Sequence, residues 1–290
     1  MLVDALFIAT KALMYLALLQ AAGSVFYGAV FASWLEHSQA RVHAVTNLSA
    51  LCCMVLTVIY AFLQSARMAG DVSGMMDAHL QWLAWHSTTG LSAAGRIVSM
   101  GVVYWCGLRP TATKGGLRGF AAVCAVLSLL LVGHTAANPE RWLLAPLLAL
   151  HLLIAAGWFG SLLPLVLAAR HEDAARSSDI VARFSGFAGW LVPVQGLAGL
   201  GLGWILMGGR FDIADPYDRL VTGKLVGFLL LLGLAAVNRW HLGPRLGTGR
   251  RQAVRAFELS LAIEWVIIAA VISLTATMTA LYSPGMAPGG

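Results

Sequence analysis

The chain has 290 residues, of which 59% are hydrophobic and 11% charged, and its mean hydropathy is +0.78. That composition excludes a soluble globular domain, in which about a quarter of residues are charged. The net charge of +6 does not point to nucleic acid, because the basic residues gather at the ends of apolar stretches, where membrane topology accounts for them.

In chain order, eight apolar stretches are predicted to span a bilayer: residues 6–34, 45–66, 87–108, 118–136, 142–169, 184–208, 220–240 and 257–282. Each is close to or above the roughly 20 residues needed to cross the hydrocarbon core. With no water there to bind backbone groups, such runs must be helical. The expected class is an all-α polytopic membrane protein with eight transmembrane helices. Lys and Arg resist translocation in short loops. Loops 1–2, 3–4, 5–6 and 7–8 carry twelve of them, Arg109 included, and the opposite loops four. Odd-numbered loops are therefore expected in the cytoplasm and both termini in the periplasm. Asp4 precedes a full-length span without the pattern of a cleavable signal peptide, so the first span is expected to be retained.

A weak internal repeat divides the chain into four-helix halves, 1–136 and 137–290. Ala22-Gly23 resembles Ala156-Gly157, Thr89-Gly90 resembles Thr222-Gly223, and Trp105 and Pro110 match Trp240 and Pro244, at offsets of 133 to 135. Both halves begin on the same side, so the expected repeat is parallel, about an axis along the membrane normal. Small residues also match by chance in apolar helices, so the repeat stands as an expectation. His151 has Ala17 as its counterpart and belongs to the second half alone.

Soft-metal ligands are distributed unevenly. His79, His86, His134 and His151 fall toward the expected outer side, as do Met68, Met75, Met76, Met207, Met278 and Met286. Cys52, Cys53, Cys106 and Cys124 fall toward the inner part of their spans. In the outer loop, Met75, His79, Trp82 and His86 are spaced by 4, 3 and 4 residues, which predicts one helical face lying on the membrane surface. His134 closes the fourth span and His151 lies inside the fifth, so the two histidines are expected on the facing helices of a hairpin. Imidazole binds copper, zinc and iron, and thioether sulfur selects Cu(I). The pattern reads as a His/Met-lined outer vestibule, with the cysteines as an inner exit. The plainer alternatives are an interhelical hydrogen bond for each histidine, gap filling for each methionine, and small-residue packing for the cysteines. No C-x-x-C is present, and nothing in the spacing argues for disulfides.

Intramembrane charges are costly and usually paired. Arg96 in the third span and Glu264 in the eighth are expected to pair between spans, with an ion or proton relay as the alternative, and Lys224 enters the seventh span. The chain contains no G-x-x-x-x-G-K-[ST] loop and no H-E-x-x-H motif, which argues against ATP-driven pumping by this chain alone.

These residues resemble the CopD family of bacterial inner-membrane copper proteins. The resemblance rests on Gly133-His134, Leu150-His151, Trp158-Phe159-Gly160, Arg183-Phe184-Ser185, Gly223-Lys224, Asn238-Arg239 and Glu264, over roughly 130–282. It is weaker in the first four spans, where it rests on Thr89-Gly90 to Arg96. It implies eight helices and a role in copper uptake into the cytoplasm or in copper tolerance. It also implies cooperation with a separate periplasmic copper-binding protein of the CopC type. On this reading copper, Cu(I) or Cu(II), is held by His134 and His151 with His86, His79, Met75 or Met76. Trp158 shapes the site, and Met68, Met207, Met278, Cys52, Cys53 and Cys124 are path candidates. The alternative is a membrane redox protein with haem b or a quinone, in which two of the same histidines act as axial ligands.

Overall fold

The computed structural model describes residues 1–108 and 112–282, without the side chains of 112 and 113. Arg109 and Pro110, used above for topology and repeat, lie outside the described residues. Eight helices are long and apolar enough to cross a membrane, which makes the chain a multi-pass membrane protein. We number them α1 (Leu2–Phe31), α2 (Gln39–Ala69), α3 (Thr88–Leu108), α4 (Ala112–Leu127), α5 (Arg141–His171), α6 (Ala174–Leu206), α7 (Pro216–Val237) and α8 (Arg251–Leu281). Among the described residues there is no strand. α1 begins and α8 ends at one face of the bundle, here the terminal face.

Several helices extend past their apolar stretch at the opposite face. α2 begins at Gln39 instead of 45, α6 at Ala174 instead of 184, and α8 at Arg251 instead of 257. Hydropathy marks the hydrocarbon, whereas the hydrogen-bonded helix continues into water. The fourth span ends differently. α4 stops at Leu127, a 3₁₀ turn covers Ser128–Leu131, and Gly133 turns the chain at φ +90°. His134 therefore opens a separate one-turn helix, His134–Ala137, and does not close the span.

The surface segment also differs from its expected single face. Gly70 ends α2 in the left-handed region at φ +77°. Asp71 caps a 3₁₀ turn over Val72–Met76, and Asp77 caps a new helix, Ala78–Trp85, by accepting from His79 N and Leu80 N. The break at Asp77 places Met75 on one element and His79 on another.

α1 is the hub of the bundle and packs on α2, α4, α5 and α8; α5 in turn packs on α6, α8 and α4. α2 lies on α3, α3 on α4 and α7 on α8, whereas α6 and α7 barely touch. The α1–α5 seam has a specific cause. Pro164 has no N–H for the carbonyl of Gly160, four residues earlier. Gln20 Nε2 and Ser24 Oγ of α1 donate to that carbonyl instead, at 2.9 and 3.1 Å. Glycine permits the approach: a Cβ on Gly23 would lie 1.8 Å from the Ala156 carbonyl oxygen, and one on Gly160 2.5 Å from Gly23 Cα. Without a hydrophobic drive between helices in lipid, such close backbone contact supplies the attraction.

The same two helices are tied again at the opposite face. Glu172, in the α5–α6 turn, accepts from His37 N, Ser38 N and Ser38 Oγ at 3.0, 2.8 and 2.6 Å. Burial alone would raise this carboxyl, but the Ser38 and His37 donors outweigh burial and hold it below the ordinary carboxylate value.

Candidate functional site

The polar groups inside the second four helices lie in layers descending from the terminal face. His134 is uppermost and half-buried. Its ring stands edge-on to Tyr217 of α7 at 6.3 Å and faces the carbonyls of Met278 and Tyr282 at the end of α8. Its Nε2 is buried without a hydrogen-bond partner. Burial, helped by the nearby Lys11 charge, lowers its proton affinity below that of an ordinary imidazole, although the two carbonyls oppose the shift.

His151 forms the next layer. It interacts with Lys224, which lies two turns, or about 10 Å, further along α7 than the Tyr217 beside His134. Its Nε2 lies 3.4 Å from Gln195 Nε2 of α6, while its own Nδ1 and Gln195 Oε1 are buried and unpartnered. Turning the amide resolves one of the two: Gln195 Oε1 then accepts from Nε2–H, and Nδ1 keeps a free lone pair, the form a metal binds. Gly199 makes room for the ring, since a Cβ there would lie 3.2 Å from His151 Cε1.

Trp158 lies two turns below His151 on α5, edge-on to Phe228 at 6.5 Å. Its Nε1 donates to Glu264 Oε2 at 3.4 Å, and Asn238 Nδ2 donates to Glu264 Oε1. Asn238 follows α7 in helical conformation and opens a π-helical turn, Asn238–Leu242. A cavity of about 300 Å³ adjoins this layer.

The expected pairing of Arg96 with Glu264 is not formed. Arg96, 2% exposed, donates to Met14 Sδ at 3.0 Å and Ser92 Oγ at 2.9 Å. Among the described residues neither Arg96 nor Glu264 has an ion-pair partner. Arg96 of α3 is held by a polarizable acceptor on α1 and a hydroxyl on its own helix.

Of the other candidates, Met278 comes beside a histidine, through its carbonyl at His134. His79 is exposed, and His86 stacks on Trp82 at 4.4 Å with Nδ1 2.8 Å from the Trp82 carbonyl oxygen. Met75 packs against the core, Met76 and Met68 are exposed, and Met207 is half-buried at the end of α6. Met286 lies outside the described residues. Cys52 and Cys53 lie at mid-length of α2, the first exposed and the second buried; Cys106 is buried and Cys124 half-buried. Among the described residues no three His, Cys, Asp or Glu side chains converge as a metal site. Sequence reasoning missed Gln195 and Tyr217; a lone amide in the middle of an apolar span was the available signal for Gln195.

Two family models match the chain. The one described as Copper resistance protein D-like, N-terminal domain, matches residues 1–142, and the one described as Copper resistance protein D matches residues 178–278. The first extends the resemblance over the half where the motifs are weaker. A curated protein called Copper resistance protein D, from Pseudomonas syringae pv. tomato, is 25% identical, with 99% of each chain covered. No solved structure matches.

Proposed function

The chain belongs to the copper resistance protein D family, and on that premise we propose that it carries copper across the bacterial inner membrane, from periplasm to cytoplasm. The observation that carries the reading is the pair of buried imidazole nitrogens without partners, His134 Nε2 and His151 Nδ1. A buried polar atom left unpaired costs about 1–3 kcal/mol, and a soft metal ion removes that cost.

Copper enters at His134, on the terminal face, where the segment carrying His79, His86, Met75 and Met76 follows the end of α2. It passes down α7 to His151 and leaves inward past Trp158. Lys224 interacts with the His151 ring and so weakens any cation held there, which suits a site that must release its ion. The terminal face is periplasmic in this account, where a CopC-type protein delivers the metal. The motif matches at offsets of 133 to 135 support reading 1–136 and 137–290 as a duplicated pair, with His151 in the second alone.

Metal analysis of detergent-purified protein tests the site. Wild type retains copper, and His134→Ala and His151→Ala lose it. Unchanged copper in both variants contradicts the assignment, and a Soret band altered by either would replace the permease with a haem protein.

A further inference from the structure

The cavity below Trp158 differs in chemistry from the histidine layers. It lies among α5, α6, α7 and α8, and no histidine, cysteine or methionine lines it. Its floor is buried and polar: Glu264 is 2% exposed and Asn238 6%. Asn238 spends Nδ2 on Glu264, and its Oδ1 is buried with no partner. The floor therefore offers more acceptors than donors, and a fitting ligand must bring an O–H or N–H. The walls, including Phe184, Phe257 and Leu232, are flat and apolar.

The mouth is formed by the exposed residues Gly189, Pro193, Arg239 and Trp240, where α6 and α7 barely touch, and Arg239 Nη1 closes its inner edge by donating to the Ser185 carbonyl at 2.9 Å. Gly189 and Pro193 lie inside the sixth apolar stretch and Trp240 at the end of the seventh, so the mouth opens at the edge of the hydrocarbon. A ligand entering there must dissolve in lipid, which rules out free ions and sugars. An acyl chain would dissolve, but it has no donor for Asn238. At about 300 Å³ the cavity is at the small end of ligand sites, with room for one ring system.

We propose that this cavity binds the ring of a quinol dissolved in the membrane, with a ring hydroxyl donating to Asn238 Oδ1 beside the Glu264 carboxyl and the apolar tail leaving between α6 and α7. Binding is the whole of the proposal, and it stands independently of copper transport.

The test is quenching of tryptophan fluorescence by decylubiquinol in nanodiscs under argon, since Trp158 and Trp240 line the site. Wild type shows saturable quenching, and decylbenzene, which lacks the hydroxyls, gives none. Asn238→Leu weakens binding about tenfold, as expected for one lost buried hydrogen bond. Ala236→Phe, which fills the cavity without touching its polar floor, abolishes binding and decides the matter if Asn238→Leu fails to fold. His151→Ala binds quinol as wild type does, so failure of the copper site leaves this result standing. Non-saturable quenching, equal quenching in wild type and Ala236→Phe, or an equal effect of decylbenzene would overturn the proposal.

Discussion

His134 and His151 differ from the other described histidines in that each has a buried ring nitrogen without a partner. His86 is exposed and already engaged with the Trp82 carbonyl, whereas each of the buried pair keeps one nitrogen unsatisfied. The pH dependence of His134 follows from its surroundings. Burial and the Lys11 charge hold it below the ordinary imidazole value, which is about 6.5. A lowered value means that the unfolded chain takes up the proton first, so stability is full above the ordinary value and declines as pH falls below it. Copper retention at His134 should follow the same direction. An NMR proton titration of the copper-free protein, with the His134 resonance assigned by its loss in His134→Ala, should show a midpoint below about 6.5; a midpoint above it would contradict the buried, neutral ring. The histidines were legible in the sequence as rare polar residues in apolar runs. Their partners were not, because Gln195, Tyr217 and the Met278 carbonyl come from helices distant in sequence.

At the scale of elements, the α1–α5 seam makes the clearest demand. Gly23 lies against the Ala156 carbonyl, whereas Gly28 on the same helix has nothing within 4 Å of a built Cβ. Gly23→Val should therefore cost about 3 kcal/mol or more through overpacking and lower the melting temperature in detergent, while Gly28→Val should leave it nearly unchanged. Equal melting temperatures would mean that the seam does not hold the bundle together. Hydropathy found all eight helices, because crossing a bilayer imposes length and apolarity on each. It missed the polar extensions of α2, α6 and α8, which lie beyond the hydrocarbon. It also missed the break at Asp77, where a side-chain cap overrides a 4-3-4 spacing, and the π turn at Asn238, which has no hydropathy signature.

Across the whole molecule, the two sets of four helices carry different electrostatics. Lys11 and Arg96 are buried in the first, with Arg67 nearby and paired to the half-exposed Asp4. That concentration of positive charge opposes passage of a cation. The second set holds His151, Gln195, Trp158, Asn238 and Glu264 in descending layers, with Lys224 as its buried cation. The sequence located both groups of residues but paired Arg96 with Glu264 across them, because the order of charges along a chain does not say which helix separates them. The central claim, that copper crosses through the second set by way of His151, is tested most directly by radioactive copper influx into proteoliposomes. Wild type should carry copper inward, His151→Ala should fall to the level of empty vesicles, and a variant with Cys52, Cys53, Cys106 and Cys124 all replaced by alanine should keep the wild-type rate. Wild-type influx through His151→Ala would contradict the account.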